Sequence, residues 1–263
     1  MNWFPVSRPR RLPTLRLSLG IMACWLAGTT FTAAGPPLSY HDFAQVASGP
    51  NLRTVFLVYN ASDEWCRVEL AFRNDQGGPL SLPFAAVEAT AYGFDLFPGT
   101  VVELPTAFSE DLRVGWATLQ ANCEVGAQVL FEIHSGGQLV TQAAVESPGP
   151  VQHADLFVVR RPGTETGIAV ANLAASPIRV HLELTQGGST IGRPVSFDLL
   201  ARGHTAKFLG QLFEGQDLPQ EVTGILHVTA TGPVALTTLQ QTGLVLGTLP
   251  VMERRNYRRR EGD

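Results

Sequence analysis

The sequence predicts an all-β protein with two tandem β-sandwich domains behind an N-terminal signal peptide. Three observations lead to this prediction: an internal repeat, an alternation of apolar and polar residues with a period of two, and a basic N-terminal segment followed by an apolar run. We expect the signal peptide at residues 1–34, the domains at residues 35–147 and 151–252, and a basic flexible tail at residues 253–263.

The internal repeat relates the two halves of the chain at a constant offset of 112 positions. Residues 60–72 contain Asn-Ala-Ser and then Cys-Arg-Val-Glu-Leu-Ala-Phe, and residues 172–184 contain Asn-Leu-Ala and then Ile-Arg-Val-His-Leu-Glu-Leu. A second match relates residues 115–125 to residues 224–234 at an offset of 109, so the loops between the matches differ in length. Surface loops tolerate such differences, and the repeat therefore indicates two copies of one folding unit.

Strand patterns dominate both copies. Val68, Leu70 and Phe72 alternate with polar residues, which places one face of a strand in a core and the other in water. The segments 55–58 and 168–171 are apolar throughout, which is typical of strands covered on both faces. Short strands separated by turns rich in Gly, Asn and Pro predict a β-sandwich.

Two segments interrupt the strand pattern. Apolar residues recur at helical spacing over residues 206–213, which predicts a short helix that closes one end of the second sandwich. The two prolines and the glycine of residues 147–150 predict an extended connection between the domains.

The N-terminal segment has the organisation of a secretory signal peptide. Residues 1–34 contain four arginines and no acidic residue, with an apolar run at 17–26 and small residues up to Ala34. We expect cleavage after Ala34 and a periplasmic or extracellular mature chain without a transmembrane segment. The apolar run is shorter than the roughly 20 residues that span a bilayer. A membrane anchor, or lipidation at Cys24 on an imperfect motif, is the alternative.

The charge of the chain argues against nucleic acid as a partner. The formal net charge is −4, and removal of the four leader arginines makes the mature chain more acidic still. An acidic body repels phosphate backbones. The arginines of the last eleven residues are typical of a solvated tail, with docking onto acidic lipid or polysaccharide as the alternative.

Cys66 and Cys123 are the cysteines that remain after signal-peptide removal. An even pair in an exported protein predicts a disulfide bond. It would close a loop of about 60 residues and stabilise the first domain by about 4 kcal/mol. The second copy has Ile178 and Gly232 at these positions. A zinc site is the alternative, but two sulfurs do not complete a tetrahedron.

Several segments of both halves together resemble a known family. They are Phe43-Ala44-Gln45-Val46-Ala47, Leu57-Val58-Tyr59-Asn60, the Gly-rich hairpin after Phe72, Phe97-Pro98-Gly99, Gly115-Trp116-Ala117, Thr166-Gly167-Ile168-Ala169-Val170-Ala171-Asn172, Ala206-Lys207-Phe208-Leu209, Leu212-Phe213 and Thr248-Leu249-Pro250-Val251. These segments resemble a repeated module of uncharacterised exported proteins from Acidobacteria and related bacteria. The resemblance covers nearly all of residues 43 to 252 and implies an immunoglobulin-like fold for both domains and export from the cytoplasm. It implies no activity, and the two cysteines are not part of it.

Residues with catalytic or metal-binding potential are scattered. The sequence has no nucleophile elbow, phosphate loop or dinucleotide fingerprint. His181 and His227 occupy outward positions of predicted strands, where a solvated ring is expected. Acidic pairs such as Asp63-Glu64 and the Asn74-Asp75 hairpin are typical of turns, with calcium binding as the alternative. Asn60 is expected to cap a turn with its side-chain amide. We therefore expect no catalytic residue, no metal and no cofactor.

The tryptophans suggest where the protein binds a partner. Trp65 lies beside Cys66, and Trp116 has the opposite parity to Ala117 and Leu119. If those two residues face inward, Trp116 is exposed and could stack on a sugar ring or anchor a protein partner. The alternative is that Trp116 packs between the two domains or in a core, because tryptophan is usually well buried.

Together these observations predict a non-catalytic exported pair of structural or adhesion modules. Its partner would be an unknown protein or glycan at the cell envelope. The first alternative is a carbohydrate-binding protein that uses the exposed aromatic residues Trp65 or Trp116. The second is an enzyme whose site is assembled from loops of both domains.

Overall fold

A computed structural model describes residues 39–85 and 87–254, and antiparallel strands make up nearly all of its regular structure. The predicted signal peptide lies outside the described residues. Ten strands form the first half: β1 (Ser39–Ser48), β2 (Leu52–Asn60), β3 (Cys66–Arg73), β4 (Leu82–Phe84), β5 (Val87–Ala89), β6 (Ala91–Leu96), β7 (Val101–Pro105), β8 (Arg113–Ala121), β9 (Val125–Ser135) and β10 (Gln138–Glu146).

The second half contains eight strands and one short helix. These elements are β11 (Val151–Arg161), β12 (Thr164–Asn172), β13 (Ile178–Gln186), β14 (Ser189–Leu199), β15 (His204–Phe208), α1 (Leu209–Leu212), β16 (Val222–Thr242), β17 (Val245–Leu249) and β18 (Val251–Glu253). The all-β prediction is therefore confirmed. The predicted connection at residues 147–150 is the irregular segment between β10 and β11.

Each half forms one large sheet that curls around its own apolar core. The first sheet has the order β10-β9-β2-β1-β8-β3-β6, with β7 also paired to β2, and β4 and β5 form a separate hairpin. Inward-facing residues from distant strands of this sheet, such as Phe56, Leu70 and Phe131, meet in one buried cluster. The second sheet has the order β14-β13-β16-β11-β12-β15, with β17 added to β16 and β18 added to β11. Its buried cluster includes Leu156, from β11, and Leu182, from β13.

The strand pairings of the two sheets correspond. The neighbours correspond for six pairs of strands: β1 and β11, β2 and β12, β3 and β13, β6 and β14, β7 and β15, and β10 and β17. The one difference among the described strands is β18, which pairs with β11 and has no counterpart beside β1. The long strand β16 takes the place of β8 and β9 together. Its first part pairs with β11 and β13, and its second part pairs with β12 and β17. Gly232 and Pro233 lie where β16 changes partners, and residues 122–124 occupy that place in the first sheet.

Side chains 112 positions apart also make corresponding hydrogen bonds. The Thr54 hydroxyl accepts from the backbone nitrogen of Ala47 at 2.8 Å and donates to the Ala47 carbonyl oxygen at 2.9 Å. Thr166 does the same with Val159, at 2.8 and 3.0 Å. In each sheet the threonine hydroxyl joins two strands. It bonds to a backbone nitrogen and a backbone carbonyl oxygen, because such groups need hydrogen-bond partners when they are buried.

Two glycines 109 positions apart allow a close approach between strands. A Cβ atom at Gly115 would overlap the carbonyl oxygen of Arg73, and a Cβ atom at Gly224 would overlap that of Thr185. Both positions therefore require a residue without a side chain, because the backbone of the neighbouring strand lies where the Cβ would be.

The predicted helix at residues 206–213 is shorter in the structure. Only Leu209–Leu212 is helical, and Leu209, Leu212 and Phe213 enter the second core as expected of residues that close one end. Ala206 and Phe208 lie instead in β15, because β15 pairs with β12 and backbone pairing there outweighs the helical spacing of the side chains.

The first two residues of the predicted tail are bonded to the second sheet. Glu253 lies in β18, and the backbone nitrogen of Arg254 donates to the His153 carbonyl oxygen at 2.9 Å. The rest of the predicted tail lies outside the described residues. Within residues 39–85 and 87–254, no helix has the length and apolarity needed to cross a membrane.

Candidate interaction surface

A buried asparagine organises one end of the first half. The Asn60 side-chain nitrogen donates to the carbonyl oxygens of Glu64 at 2.7 Å and Leu96 at 3.2 Å. Its side-chain oxygen accepts from the backbone nitrogen of Ser62 at 2.9 Å. The predicted turn-capping role of Asn60 is confirmed, and these bonds hold the 60–66 turn against the end of β6. Asn172 makes the corresponding bonds in the second half.

The disulfide bond fixes the far end of the same turn. Cys66 and Cys123 are bonded, with their Cα atoms 5.5 Å apart, as predicted. The second half uses packing at the corresponding place. A Cβ atom at Gly232 would lie only 2.7 Å from Cγ2 of Ile178, so the isoleucine side chain fills the space that the glycine leaves.

Four large apolar side chains lie exposed at this end of the first half. The Trp65 side chain, 59% exposed, packs against Phe97, which is 53% exposed, with the ring centroids 3.8 Å apart and the ring planes inclined by 52°. Tyr59 on β2 and Val101 on β7 are register partners and are 45% and 63% exposed. We call Tyr59, Trp65, Phe97 and Val101 the aromatic surface. Exposed apolar groups gathered in this way mark interaction sites more often than scattered ones do.

The turn between β6 and β7 positions two members of the aromatic surface. The Thr100 backbone nitrogen donates to the Phe97 carbonyl oxygen at 3.2 Å, and Gly99 adopts a φ of 67°. The backbone nitrogen of Asn60 donates to the Thr100 carbonyl oxygen at 3.0 Å, which fixes this turn beside β2. The aromatic surface is therefore presented by turns that are bonded to the sheet.

Acidic side chains border the aromatic surface. Asp63 and Glu64 precede Trp65 in the same turn, and Glu124 lies beside it, since its carbonyl oxygen accepts from the Ala61 backbone nitrogen at 3.0 Å. Among the described residues, none of these three carboxylates has an ion-pair partner. The surface therefore combines an apolar centre with a negatively charged rim.

Trp116 is not part of any exposed surface, and its predicted exposure is wrong. Ala117 and Leu119 do face the core, so Trp116 does point outward from its own sheet, but it is fully buried. The second half covers that face, and the Trp116 ring packs in a cluster with Ala169 and Ala171. The alternative prediction, that Trp116 packs between the two halves, is confirmed.

Hydrogen bonds accompany this packing between the halves. Nε1 of Trp116 donates to the carbonyl oxygen of Arg202 at 2.8 Å, and Arg202 has a φ of 58°. Nδ1 of the buried His204 lies 2.8 Å from the Asp75 carboxylate, and the His204 backbone nitrogen donates to the Asp75 carbonyl oxygen. Both halves belong to one compact unit, which these contacts hold together.

An apolar cavity of about 300 Å³ lies between the two halves. Leu112 and Phe131 line it from the first half, and Ile168 and Leu239 line it from the second. Lys207, the only lysine of the chain, is exposed at its border. The cavity offers apolar contact and one cation.

Two histidine clusters join residues from neighbouring strands. Glu132 lies 2.7 Å from Nε of Arg53 and 3.1 Å from Nε2 of His134. Burial raises the pKa of Glu132, but hydrogen bonds from His134 and Arg53 outweigh it and hold the pKa below its ordinary value. The same carboxylate therefore stays ionised while largely buried.

The second cluster has the order of an acid–histidine–hydroxyl triad. His227 lies with Nδ1 2.6 Å from the Asp155 carboxylate and Nε2 3.1 Å from the Thr185 hydroxyl. That hydroxyl also donates to the Ile225 carbonyl oxygen at 3.4 Å, so the carbonyl oxygen competes with the imidazole for the single hydroxyl proton. The three residues come from three adjacent strands, and sequence spacing gave no signal of this arrangement.

In the part of the chain that the structure describes, no group of three or more His, Cys, Asp or Glu residues is arranged to hold a metal ion. Asn74, a predicted alternative for calcium, instead accepts backbone hydrogen bonds from Gln76 at 3.0 Å and Gly78 at 3.1 Å. The Asn74 turn is therefore a hairpin, as expected from its composition.

The predicted site residues thus separate into two regions. Cys66, Cys123 and Trp65 lie together at one end of the first half, whereas Trp116 lies in the contact between the halves. Tyr59 and Val101 were not identified from the sequence, because their exposure depends on which strand faces remain uncovered. Comparison of the chain with protein-family models, with curated proteins and with solved structures finds no match.

Proposed function

We propose that this protein is a non-catalytic exported interaction protein, built from two tandem immunoglobulin-like modules, that binds a protein of the cell envelope through the aromatic surface. The observation that carries the proposal is the exposed Trp65–Phe97 pair. Turns bonded through a buried asparagine and a disulfide present this pair to solvent.

The corresponding strand pairings support the tandem arrangement. Strand neighbours, the threonine hydrogen bonds and the two close-approach glycines recur at the offsets of the internal repeat. Two curled antiparallel sheets with one core each are consistent with a pair of sandwich-like modules. The resemblance to modules of exported proteins from Acidobacteria points in the same direction.

The disulfide supports export. Disulfide bonds persist in oxidising compartments and are rare in the cytosol. Cys66 and Cys123 are both buried and bonded, which agrees with the prediction of a secretory signal peptide at residues 1–34. We therefore place the mature protein in the periplasm or outside the cell.

The chemistry of the aromatic surface suits a protein partner. Tryptophan and tyrosine contribute large contact areas with few rotatable bonds, and they dominate the binding energy of many interfaces. The acidic rim of Asp63, Glu64 and Glu124 favours a partner surface that is apolar at its centre and basic at its edge.

Site-specific photo-crosslinking in the producing cells tests this proposal. A photoreactive residue at position 97 should give a discrete adduct, and Trp65→Ala should remove it. The same probe at Leu244, which is 53% exposed in a hairpin of the second half, is the matched control and should give none. Equal labelling at both positions would reject the aromatic surface as a specific binding site.

A carbohydrate ligand is the second candidate, because the Trp65 ring is exposed beside another aromatic ring. Sugar rings stack on such faces through their apolar C–H groups. A glycan array with the wild type, Trp65→Ala and the control Leu244→Ala separates the possibilities. Binding that only the Trp65 variant loses would favour a glycan, and an array without signal would exclude the tested sugars.

A further inference from the structure

The contact between the halves joins two different faces. The first half contributes the outward face of β1 and β8, with Ala44 and Trp116. The second half contributes the outward face of β12 and of the later part of β16, with Ala169, Ala171 and Ala235. Because the strand pairings correspond, each half contains both kinds of face, and the contact between the halves covers only one of each.

In the first half, the face that corresponds to the outward face of β12 and the later part of β16 is uncovered. Leu57 and Tyr59 correspond to Ala169 and Ala171 at the offset of 112, and Gly126 corresponds to Ala235 at the offset of 109. Tyr59 and its register partner Val101 are 45% and 63% exposed. We call Leu57, Tyr59, Val101 and Gly126 the receiving face, which adjoins the Trp65–Phe97 pair.

In the second half, the face that corresponds to the outward face of β1 and β8 is uncovered. Ile225 corresponds to Trp116 at the offset of 109 and is half-buried. Phe157, the register partner of Ile225, is 43% exposed and lies where β1 carries its irregular residues 44 and 45. We call Phe157 and Ile225 the docking face.

A polar pair beside each face strengthens the correspondence. Asp155 accepts a hydrogen bond from His227 next to the docking face, at 2.6 Å. Asp42 accepts one from Thr118 at 2.9 Å at the corresponding place of the first half. Both residues of this second pair are half-buried, and burial raises the pKa of Asp42.

We propose that the docking face of one copy binds the receiving face of a second copy, so that the chain assembles head to tail. The contact would bring together, between molecules, the counterparts of the two faces that meet at Trp116 within one molecule. Gly126 has no side chain and lies beside the Tyr59 ring, so the receiving face offers an apolar ring where the second half offers Ala171 to Trp116. The inference rests on the proposed function and names its partner as a second copy.

Head-to-tail contact has a distinctive consequence for assembly. The two surfaces differ, so each bound copy leaves one free face of each kind, and the assembly grows until it closes into a ring or continues as a fibre. A symmetric dimer, in contrast, would use the same surface twice and stop at two copies.

Two variants block one face each. Val101→Arg places a charge on the receiving face, and Phe157→Arg places one on the docking face. Both residues are exposed, so we expect folding to survive, as the thermal transition would show. In sedimentation velocity from about 1 to 200 µM the wild type should associate, and each variant alone should remain monomeric, with association weakened at least about 100-fold.

Mixing the two variants is the decisive measurement. The docking face of Val101→Arg and the receiving face of Phe157→Arg are both intact, so the mixture should form a one-to-one dimer and nothing larger. Leu244→Arg, exposed but on neither face, should associate as the wild type does. If an arginine variant loses its thermal transition, Tyr59→Ser and Phe157→Ser replace the pair.

Two results would overturn the inference. The first is a wild type that remains monomeric at about 200 µM, a protein concentration at which even a weak specific contact would be populated. The second is a wild type that associates while the mixed variants do not. Either result would leave the proposed function intact if the crosslink at position 97 joined a different protein, so the two failures are distinguishable.

Discussion

Removal of the disulfide should destabilise the protein. We consider the double variant Cys66→Ala with Cys123→Ala. The bond closes a loop with a sequence separation of 57. The chain-entropy relation gives a loss of about 14 cal/mol/K for the unfolded loop, or about 4 kcal/mol at 25 °C. Both cysteines are buried, so the lost sulfur atoms leave a void that adds about 1 kcal/mol.

Equilibrium unfolding in urea measures this effect, with reduced and unreduced wild type alongside the variant. Reduced wild type should lose about 4 kcal/mol, because the sulfur atoms remain but the cross-link does not. A second variant, Cys66→Ile with Cys123→Gly, transfers the packing of Ile178 and Gly232. It should recover the loss caused by the void but not the loss caused by the missing cross-link.

The unreduced wild type should show no free thiol when it is labelled under denaturing conditions. Coincident urea transitions for oxidised and reduced wild type, with thiol labelling to prove complete reduction, would refute the reasoning. That result would mean that the turn after Asn60 is held by its hydrogen bonds alone.

Three further predictions follow from buried contacts. Trp116→Phe should lower stability by about 1 to 3 kcal/mol in urea unfolding, because the Arg202 carbonyl oxygen loses its donor; an unchanged midpoint would contradict this role. Gly115→Ala should cost more than the roughly 1–3 kcal/mol of an ordinary overpacked site, since the new Cβ meets the Arg73 backbone, and a soluble variant with wild-type Tm would disprove the close approach. The lowered pKa of Glu132 contributes stability that is present above its ordinary value of 4.5 and is lost as pH falls through the folded-state pKa. The stability difference between wild type and Glu132→Gln should therefore shrink below about pH 4.5, and a difference independent of pH would exclude that linkage.

Only one residue of the aromatic surface could be identified from the sequence. Trp65 could be identified as a candidate because it adjoins a cysteine and an acidic turn. Phe97 lies in the turn after β6. Tyr59 and Val101 alternate with core residues like many outward strand positions, and nothing local distinguishes them from Ala171 and His204, which occupy the corresponding covered places. Exposure at those positions depends on which sheet face another part of the chain covers.

Trp116 illustrates the same limit from the opposite side. Its parity relative to Ala117 and Leu119 correctly placed it on the outward face of β8. Parity describes only the strand's own sheet, however, and the second half covers that face with small residues such as Ala169 and Ala171. The helical spacing of residues 206–213 was overridden for a related reason, since pairing with β12 extends the chain as far as Phe208.

The sequence by itself determined the all-β character, the turn role of Asn60 and the pairing of Cys66 with Cys123. These features depend on local periodicity, on short-range hydrogen bonds and on a count of two cysteines. The tertiary structure alone decided which outward faces are covered and which remain in contact with water. That choice depends on how two curled sheets pack against each other, which is set by surfaces from strands far apart in the chain and leaves no periodic signal in it.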